Sequence, residues 1–153
     1  MQINVDLDLP RDARYVPVMR NVTERLLSDL GAPDTAIEDI QIALSEACAN
    51  VVRHAAGSRT YHVRLSVKDS GCDIEVADSG PGFDGERMND DQAEPDAENG
   101  RGLQLMQALV DDLFVATDDG DNVVRLHKEW PPLNLSVDAL DEGNAQHPEE
   151  RGR

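Results

Sequence analysis

Residues 60–77 read TYHVRLSVKDSGCDIEVA, and their period decides the fold. Tyr61, Val63, Leu65 and Val67 stand at every second position, and so do Cys72, Ile74 and Val76. Side chains two apart share one face of a strand, so each run buries one face and wets the other. Asp69-Ser70-Gly71 between them is turn chemistry. The stretch is predicted to be an antiparallel hairpin lying on a core. Residues 113–117, LFVAT, and 122–128, NVVRLHK, repeat the arrangement around Asp118-Asp119-Gly120-Asp121. A fifth strand is expected over 2–8, where Ile3, Val5 and Leu7 alternate with polar residues and Pro10 ends the run.

Between these strands the period changes to that of a helix. From Asp12 to Leu30 the apolar positions Tyr15, Val18, Met19, Val22, Leu26, Leu27 and Leu30 recur at helical spacing. Pro17 lies near the start and Gly31 is the expected stop. A second helix is predicted over 34–56 on the stripe Ile37, Ile40, Leu44, Ala47 and Val51, with Asp34 as its N-cap and Gly57 after it. A third is predicted over 102–112, with Leu103, Met106, Leu109 and Val110 buried. The order is β-α-α-β-β-loop-α-β-β. Helices gathered on one face of a mixed, mainly antiparallel sheet make a two-layer α/β sandwich.

The 153 residues suit a single domain. Residues 1–132 are expected to form it, and the acidic, loosely patterned residues 133–153 to form a disordered tail. Aromatics are only 3% of the chain, so Leu, Val, Ile and Ala must build the core. The formal net charge of −17 sets a mean field that repels nucleic acid phosphate, which argues against a direct nucleic-acid partner. It fits either plain solubility or a basic patch on a protein partner. Cys48 and Cys72 lack metal-ligand spacing and read as reduced core thiols. No N-terminal apolar stretch resembles a signal peptide, and no apolar run is long enough to cross a bilayer. A cytoplasmic protein with no membrane partner is expected.

Three features carry chemistry. On the second helix, Glu46, Asn50 and His54 are each four residues apart, with Arg53 beside them, so they share one stripe. The Asn amide oxygen is a hard, neutral ligand suited to magnesium. A carboxylate one turn away can take a proton from an attacking hydroxyl. The same stripe also fits a plain solvated face. Asp78-Ser79-Gly80-Pro81-Gly82-Phe83 follows directly on a strand. An Asp there can accept a hydrogen bond from an exocyclic amine, and glycines let a flat ring approach, although the sequence is also good turn chemistry. Asn99-Gly100-Arg101-Gly102-Leu103 lies where a loop is expected to enter a helix. Backbone N–H groups and a helix dipole would meet a phosphate there, with Arg101 as a local cation, or the glycines are a hinge. Walker and Rossmann fingerprints are absent.

Taken in order and spacing, these motifs resemble the GHKL, or Bergerat-fold, ATPases. Within them the chain is most similar to the small anti-sigma-factor serine kinases, over roughly residues 2–130. Glu46-Ala47-Cys48-Ala49-Asn50 with His54-Ala55 resembles their N box. Asp78-Ser79-Gly80-Pro81-Gly82-Phe83 resembles the first glycine box. Gly100-Arg101-Gly102-Leu103 resembles the second, followed by their usual Leu-Val-Asp-Asp. The resemblance implies ATP and Mg2+ as cofactors, with Asn50 as the metal ligand and Glu46 as general base on a Ser or Thr hydroxyl. It puts Asp78, Gly80 and Gly82 at the adenine. Gly100, Arg101, Gly102 and Leu103 fall at the phosphates, under a lid over residues 83–101, with Arg53 beside the nucleotide; His54 fits the family pattern either as a structural group or as one that touches phosphate. It implies an anti-sigma factor that phosphorylates a STAS-type antagonist, has a sigma factor as its alternative partner and forms homodimers. A non-catalytic, ATP-binding regulator that sequesters a partner is the other reading. Two departures stand out. Gly120-Asp121-Asn122-Val123 replaces the family's Gly-Thr before the last strand, leaving Asn122 to supply that polar contact. The lid has no Lys and carries Glu86, Asp90, Asp91, Glu94, Asp96 and Glu98.

Overall fold

The computed structural model describes residues 1–54, 59–78, 97–118 and 121–132, with the backbone alone at 54, 97–100, 116–118 and 121–122. Strand β1 (Gln2–Pro10) is followed by a 3-10 turn (Ala13–Tyr15), helix α1 (Val16–Asp29) and helix α2 (Asp34–His54). The hairpin β2 (Thr60–Lys68) and β3 (Gly71–Asp78) comes next, then helix α3 (Ala97–Leu109) and the hairpin β4 (Asp112–Asp118) and β5 (Asp121–Glu129). The five strands lie in the order β1-β2-β3-β5-β4. Every pairing is antiparallel, so the sheet is not mixed. The physical reason lies in the connections. Two are hairpins, and the α1–α2 pair returns the chain to the sheet running the opposite way to β1.

The register turns the alternating sequence into two unlike faces. Val63 pairs with Val76, Leu65 with Ile74, and Val76 with Val124, all on the face that the helices cover. Arg64 pairs with Glu75, Glu75 with Arg125, and Asp73 with His127 on the other. A slip of one residue would exchange the two sets, so the buried face fixes the pairing. Leu44, Ala47, Cys48, Val63, Leu65, Val76 and Met106 are fully enclosed in the core. Burial pushes the thiols of Cys48 and Cys72 up to about 12, so both are protonated, inert core groups as expected.

Helix ends follow their sequence signals, with two differences. Leu30 caps α1, and Gly31 takes φ 82°, the left-handed conformation that glycine adopts without strain. The Gly31 N–H donates to Ser28 O, and the Ala32 N–H to Leu27 O, which closes the helix with a double backbone cap. At α2, the Ile37 N–H donates to the Pro33 carbonyl, so Pro33 holds the cap position and Asp34 is the first helical residue. Asp34 still complements the positive end of the dipole. Helix α3 begins at Ala97, five residues before the expected start, and ends at Leu109. Ala97 and Glu98 are good helix formers, and they extend the helix back through Gly100.

Candidate functional site

Helix α2 is the wall on which the site is built. It packs against α1, α3, β3 and β5, so one side of its last two turns looks into the layer between helices and sheet. Asn50 lies on that side and is 3% exposed. Its Oδ1 has no hydrogen-bond partner among the described residues. Asp78, the last residue of β3, is 5% exposed, and its Oδ1 is likewise unpartnered there. An unsatisfied buried polar atom costs about 1–3 kcal/mol, more for a charged group. Two strong acceptors left this way on one side of the sheet call for partners beyond the described residues. The hydroxyls of Thr23 and Tyr61 are also unpartnered among the described residues, but each is a single hydroxyl set in the apolar core.

The third motif comes to the first through Gly102. A Cβ built on Gly102 would stand 3.0 Å from Glu46 Oε2, 3.6 Å from Asn50 Nδ2 and 3.8 Å from Asn50 Oδ1. The glycine thus brings the backbone of this motif close to both side chains. Two motifs more than 50 residues apart in the chain meet at this point. The loop-to-helix placement of Gly100-Arg101-Gly102 is corrected by the structure. These residues are the fourth to sixth of α3, so the N–H groups of Arg101 and Gly102 fall within reach of intrahelical partners rather than standing free. Arg101 is exposed, Leu103 is half-buried, and Met106 and Val110 carry the buried stripe of α3 onward.

Glu46 faces two ways. It is half-buried, and besides Gly102 it lines a groove of about 380 Å³ between α1 and α2. Val16, Pro17 and Arg20 form the α1 wall of this groove, and Ser45, Ala49 and Arg53 share the α2 wall with Glu46. The Gln41 side chain donates to Arg20 O at 2.8 Å and holds the two walls together. Arg53 thus stands on the groove side of α2. His54 ends α2, and Gly100 lies in the first turns of α3, both with backbone alone described. Gly80, Gly82 and the lid up to residue 96 lie outside the described residues, as does the tail from 133. The register sets Asn122 directly opposite Asp78, and Thr117 opposite Asn122, so the departure from the family's pattern falls beside the Asp.

Arg20 and Lys128 were not marked as candidates by the sequence. Arg20 is one of several charges on the wet side of α1, and nothing in its spacing sets it apart. Lys128 is one of two cations in a strand that also carries His127, and nothing in its spacing sets it apart either.

Residues 9–128 match the histidine kinase-like ATPase domain family, and the chain belongs to that family. Within it the chain is a member of the anti-sigma-factor serine kinases, an ATP-using protein serine/threonine kinase. It is 31% identical over 130 residues to the serine-protein kinase RsbW of Bacillus velezensis, across 78% of this chain and 81% of that one. To the serine-protein kinase RsbW of Bacillus licheniformis it is 35% identical over 134 residues, with the same coverage. Two solved structures share the fold. One holds the RsbU and RsbW domains of a Mycobacterium tuberculosis protein, with TM-score 0.65, 21% identity, and 83% of this chain and 32% of that chain covered. The other is the SiaB–SiaC complex of Pseudomonas aeruginosa, with TM-score 0.63, 15% identity, and 80% and 88% covered. Among the described residues no helix is long and apolar enough to cross a membrane.

Proposed function

We propose that the chain is a cytoplasmic anti-sigma factor that uses Mg2+ and ATP to phosphorylate a Ser or Thr of a STAS-type antagonist, with a sigma factor as its alternative partner. The observation that carries this reading is the double aspect of Glu46, which touches the space around Gly102 and Asn50 on one side and the α1–α2 groove on the other. A general base for phosphoryl transfer must reach the acceptor hydroxyl while the nucleotide lies within a few ångströms, and such a position satisfies both demands. A non-catalytic regulator has no need of a carboxylate at this junction.

The donor set fits the nucleotide. Asp78 Oδ1, buried and unpartnered among the described residues, suits the exocyclic amine of adenine. Asn50 Oδ1 suits a magnesium ion held between phosphates. Among the described residues no group of three or more His, Cys, Asp or Glu side chains is arranged to hold a metal. Magnesium would then take Asn50 as its ligand here and draw its other oxygens from phosphate and water, as that ion commonly does. When bound, Mg-ATP supplies the γ-phosphoryl group and neutralises charge upon it. Asn50 orients the phosphates, Gly102 leaves room for them, and Arg101 lies on α3 within the same motif. Glu46 accepts the proton of the incoming hydroxyl at a carboxylate oxygen. Arg20 and Arg53 give the groove a cationic rim in a chain of net charge −17, which favours an acidic acceptor segment.

Residues 1–132 form the ATP-binding domain in this reading, residues 83–101 its lid, with Gly80 and Gly82 at the adenine, Gly100 at the phosphates and His54 beside them. Residues 133–153 are a solvated tail. The homodimer implied by the resemblance, and the absence of a direct nucleic-acid partner favoured by the charge, belong to the same proposal. The test is transfer of label from γ-labelled ATP to a STAS-type antagonist. The parent is expected to label it on Ser or Thr, and Glu46→Gln to lower the rate by about 10²–10⁴-fold while ATP still binds. Binding of ATP with no transfer to any such antagonist would leave only the sequestering regulator.

A further inference from the structure

The far end of α3 is fastened in a way that bears on the near end. Lys128, on β5, is 18% exposed. Its Nζ donates to Asp39 Oδ2 of α2 at 3.0 Å and to the carbonyl of Leu109, the last residue of α3, at 2.8 Å. One cation thus satisfies an end carbonyl of α3, complements the negative end of its dipole and pairs with α2. The next residues are held as firmly. The Asp111 N–H donates to His127 O at 2.9 Å, and the Asp111 carboxylate accepts the Glu129 N–H at 2.6 Å. Strand β5 is itself seated closely there. A Cβ on Gly71 would stand 2.7 Å from the Lys128 carbonyl oxygen, so only glycine lets β3 approach.

We infer that Lys128 is a positioning residue for the nucleotide site, fixing the height of α3 on α2 and so the distance of Gly102 from Glu46 and Asn50. The inference rests on the ATP-binding reading. The lever is short: Gly102 and Leu109 are seven residues, about 10 Å, apart on one rigid helix. Gly102 stands directly beside the site, since an added Cβ would be 3.0 Å from Glu46 Oε2 and 3.6 Å from Asn50 Nδ2. A displacement of about 1 Å near a reacting centre is enough to lose about a hundredfold in rate. The Leu-Val-Asp-Asp stretch at 109–112, which no catalytic role absorbs, gains a purpose as the socket of this fastening.

The experiment compares the parent with Lys128→Met, Asp39→Ala and their double variant. Val5→Ala, on the distant edge strand, is the control for general loss of stability. Affinity for Mg-ATP is measured by calorimetry well below the melting temperatures, and amide exchange of residues 102–106 is followed without nucleotide. Lys128→Met is expected to weaken ATP binding about tenfold and to speed exchange at the start of this stretch. Asp39→Ala should act in the same direction, and the double variant should be no worse than Lys128→Met. Val5→Ala should bind ATP like the parent. If Lys128→Met does not fold, Asp39→Ala carries the test alone. Parent-like affinity and exchange in the variants, with a parent that binds ATP, would overturn this inference only. A parent that binds no ATP would overturn the nucleotide reading and this inference with it.

Discussion

The two faces of the sheet handle polar groups in opposite ways. On the open face, charges answer one another within the chain. His62 lies 2.9 Å from both Asp6 and Asp8, and Arg64 donates to Asp6 at 2.7 Å. Arg125 donates to Glu75 at 2.9 Å and lies over the ring of Phe114, which is 53% exposed. His127 is held between Asp73 at 2.5 Å and Glu129 at 3.1 Å. On the covered face, where an unmet acceptor costs far more, Asn50 and Asp78 keep oxygens without a partner among the described residues. Satisfied charges on a wet surface contribute little to stability and require no ligand. Unsatisfied ones in a dry layer call for partners beyond the described residues. The less charged face is thus the one on which the proposed nucleotide site lies.

Breaking the contrast at Asp78 should have the largest effect. Asp78→Asn keeps the shape and removes the acceptor charge. A hydrogen bond to a charged group is worth about 1.5–3 kcal/mol, so ATP affinity is expected to fall roughly ten- to a hundredfold. Its melting temperature should equal or exceed the parent's, since a buried carboxylate whose Oδ1 has no partner among the described residues gives way to a neutral amide. Calorimetry beside thermal melting checks both, and a variant that loses stability while keeping ATP affinity would make Asp78 a structural residue.

Gly102→Ala should act more mildly. The added methyl meets a movable Glu46 carboxylate, and alanine favours a helix over glycine by about 1 kcal/mol, so the fold should be as stable or slightly more so. Affinity for Mg-ATP should drop by about 1 kcal/mol, or fivefold, through crowding beside Asn50. Unchanged affinity in a titration would show that the nucleotide does not use this space.

The open face supplies the smallest effect, and it concerns stability alone. Its bond to Asp8 raises the pKa of His62, helped by Asp6 and opposed by partial burial. Glu129 first and Asp73 second raise that of His127. Each imidazole holds its proton more firmly folded than unfolded. The stabilisation is therefore complete below the unfolded value, about 6.5, and is lost as pH rises through the raised folded value. Asp6, held below its ordinary 3.8 by Arg64 and then His62, works in the other direction and loses its share as pH falls through its lowered value. The urea midpoint should decline from pH 6 to pH 9, and less steeply in His62→Gln/His127→Gln. An equal slope in that double variant would show that the His62 and His127 pairs do not set this pH dependence.

Both hairpins, the first strand and the first two helices were legible because each carries one unbroken period against one core. Gly31 was legible because a positive φ has few other occupants. The start of α3 was not, since Asn99-Gly100-Arg101-Gly102 favours a loop locally while packing of Gly102 and Met106 on α2 favours a helix. Glu46, Asn50 and Asp78 were readable as a candidate site only through motif order. Their periodicity alone allows a wet stripe and a turn, and burial, which separates the readings, is not a local property. The meeting of Gly102 with Glu46, the α1–α2 groove at Arg20, and the Lys128 fastening depend on contacts between distant segments and leave no pattern in the chain.

Whether the buried Asn50 on α2 takes a metal-bound nucleotide, as proposed, is tested most directly by ATP binding measured calorimetrically with and without magnesium, in the parent and in Asn50→Ala. Magnesium should strengthen binding to the parent, and Asn50→Ala should lose this gain while melting close to the parent, since the Oδ1 it removes has no partner among the described residues. Equal, magnesium-dependent affinity in Asn50→Ala would contradict the proposal, because the one protein oxygen assigned to the metal would then be dispensable.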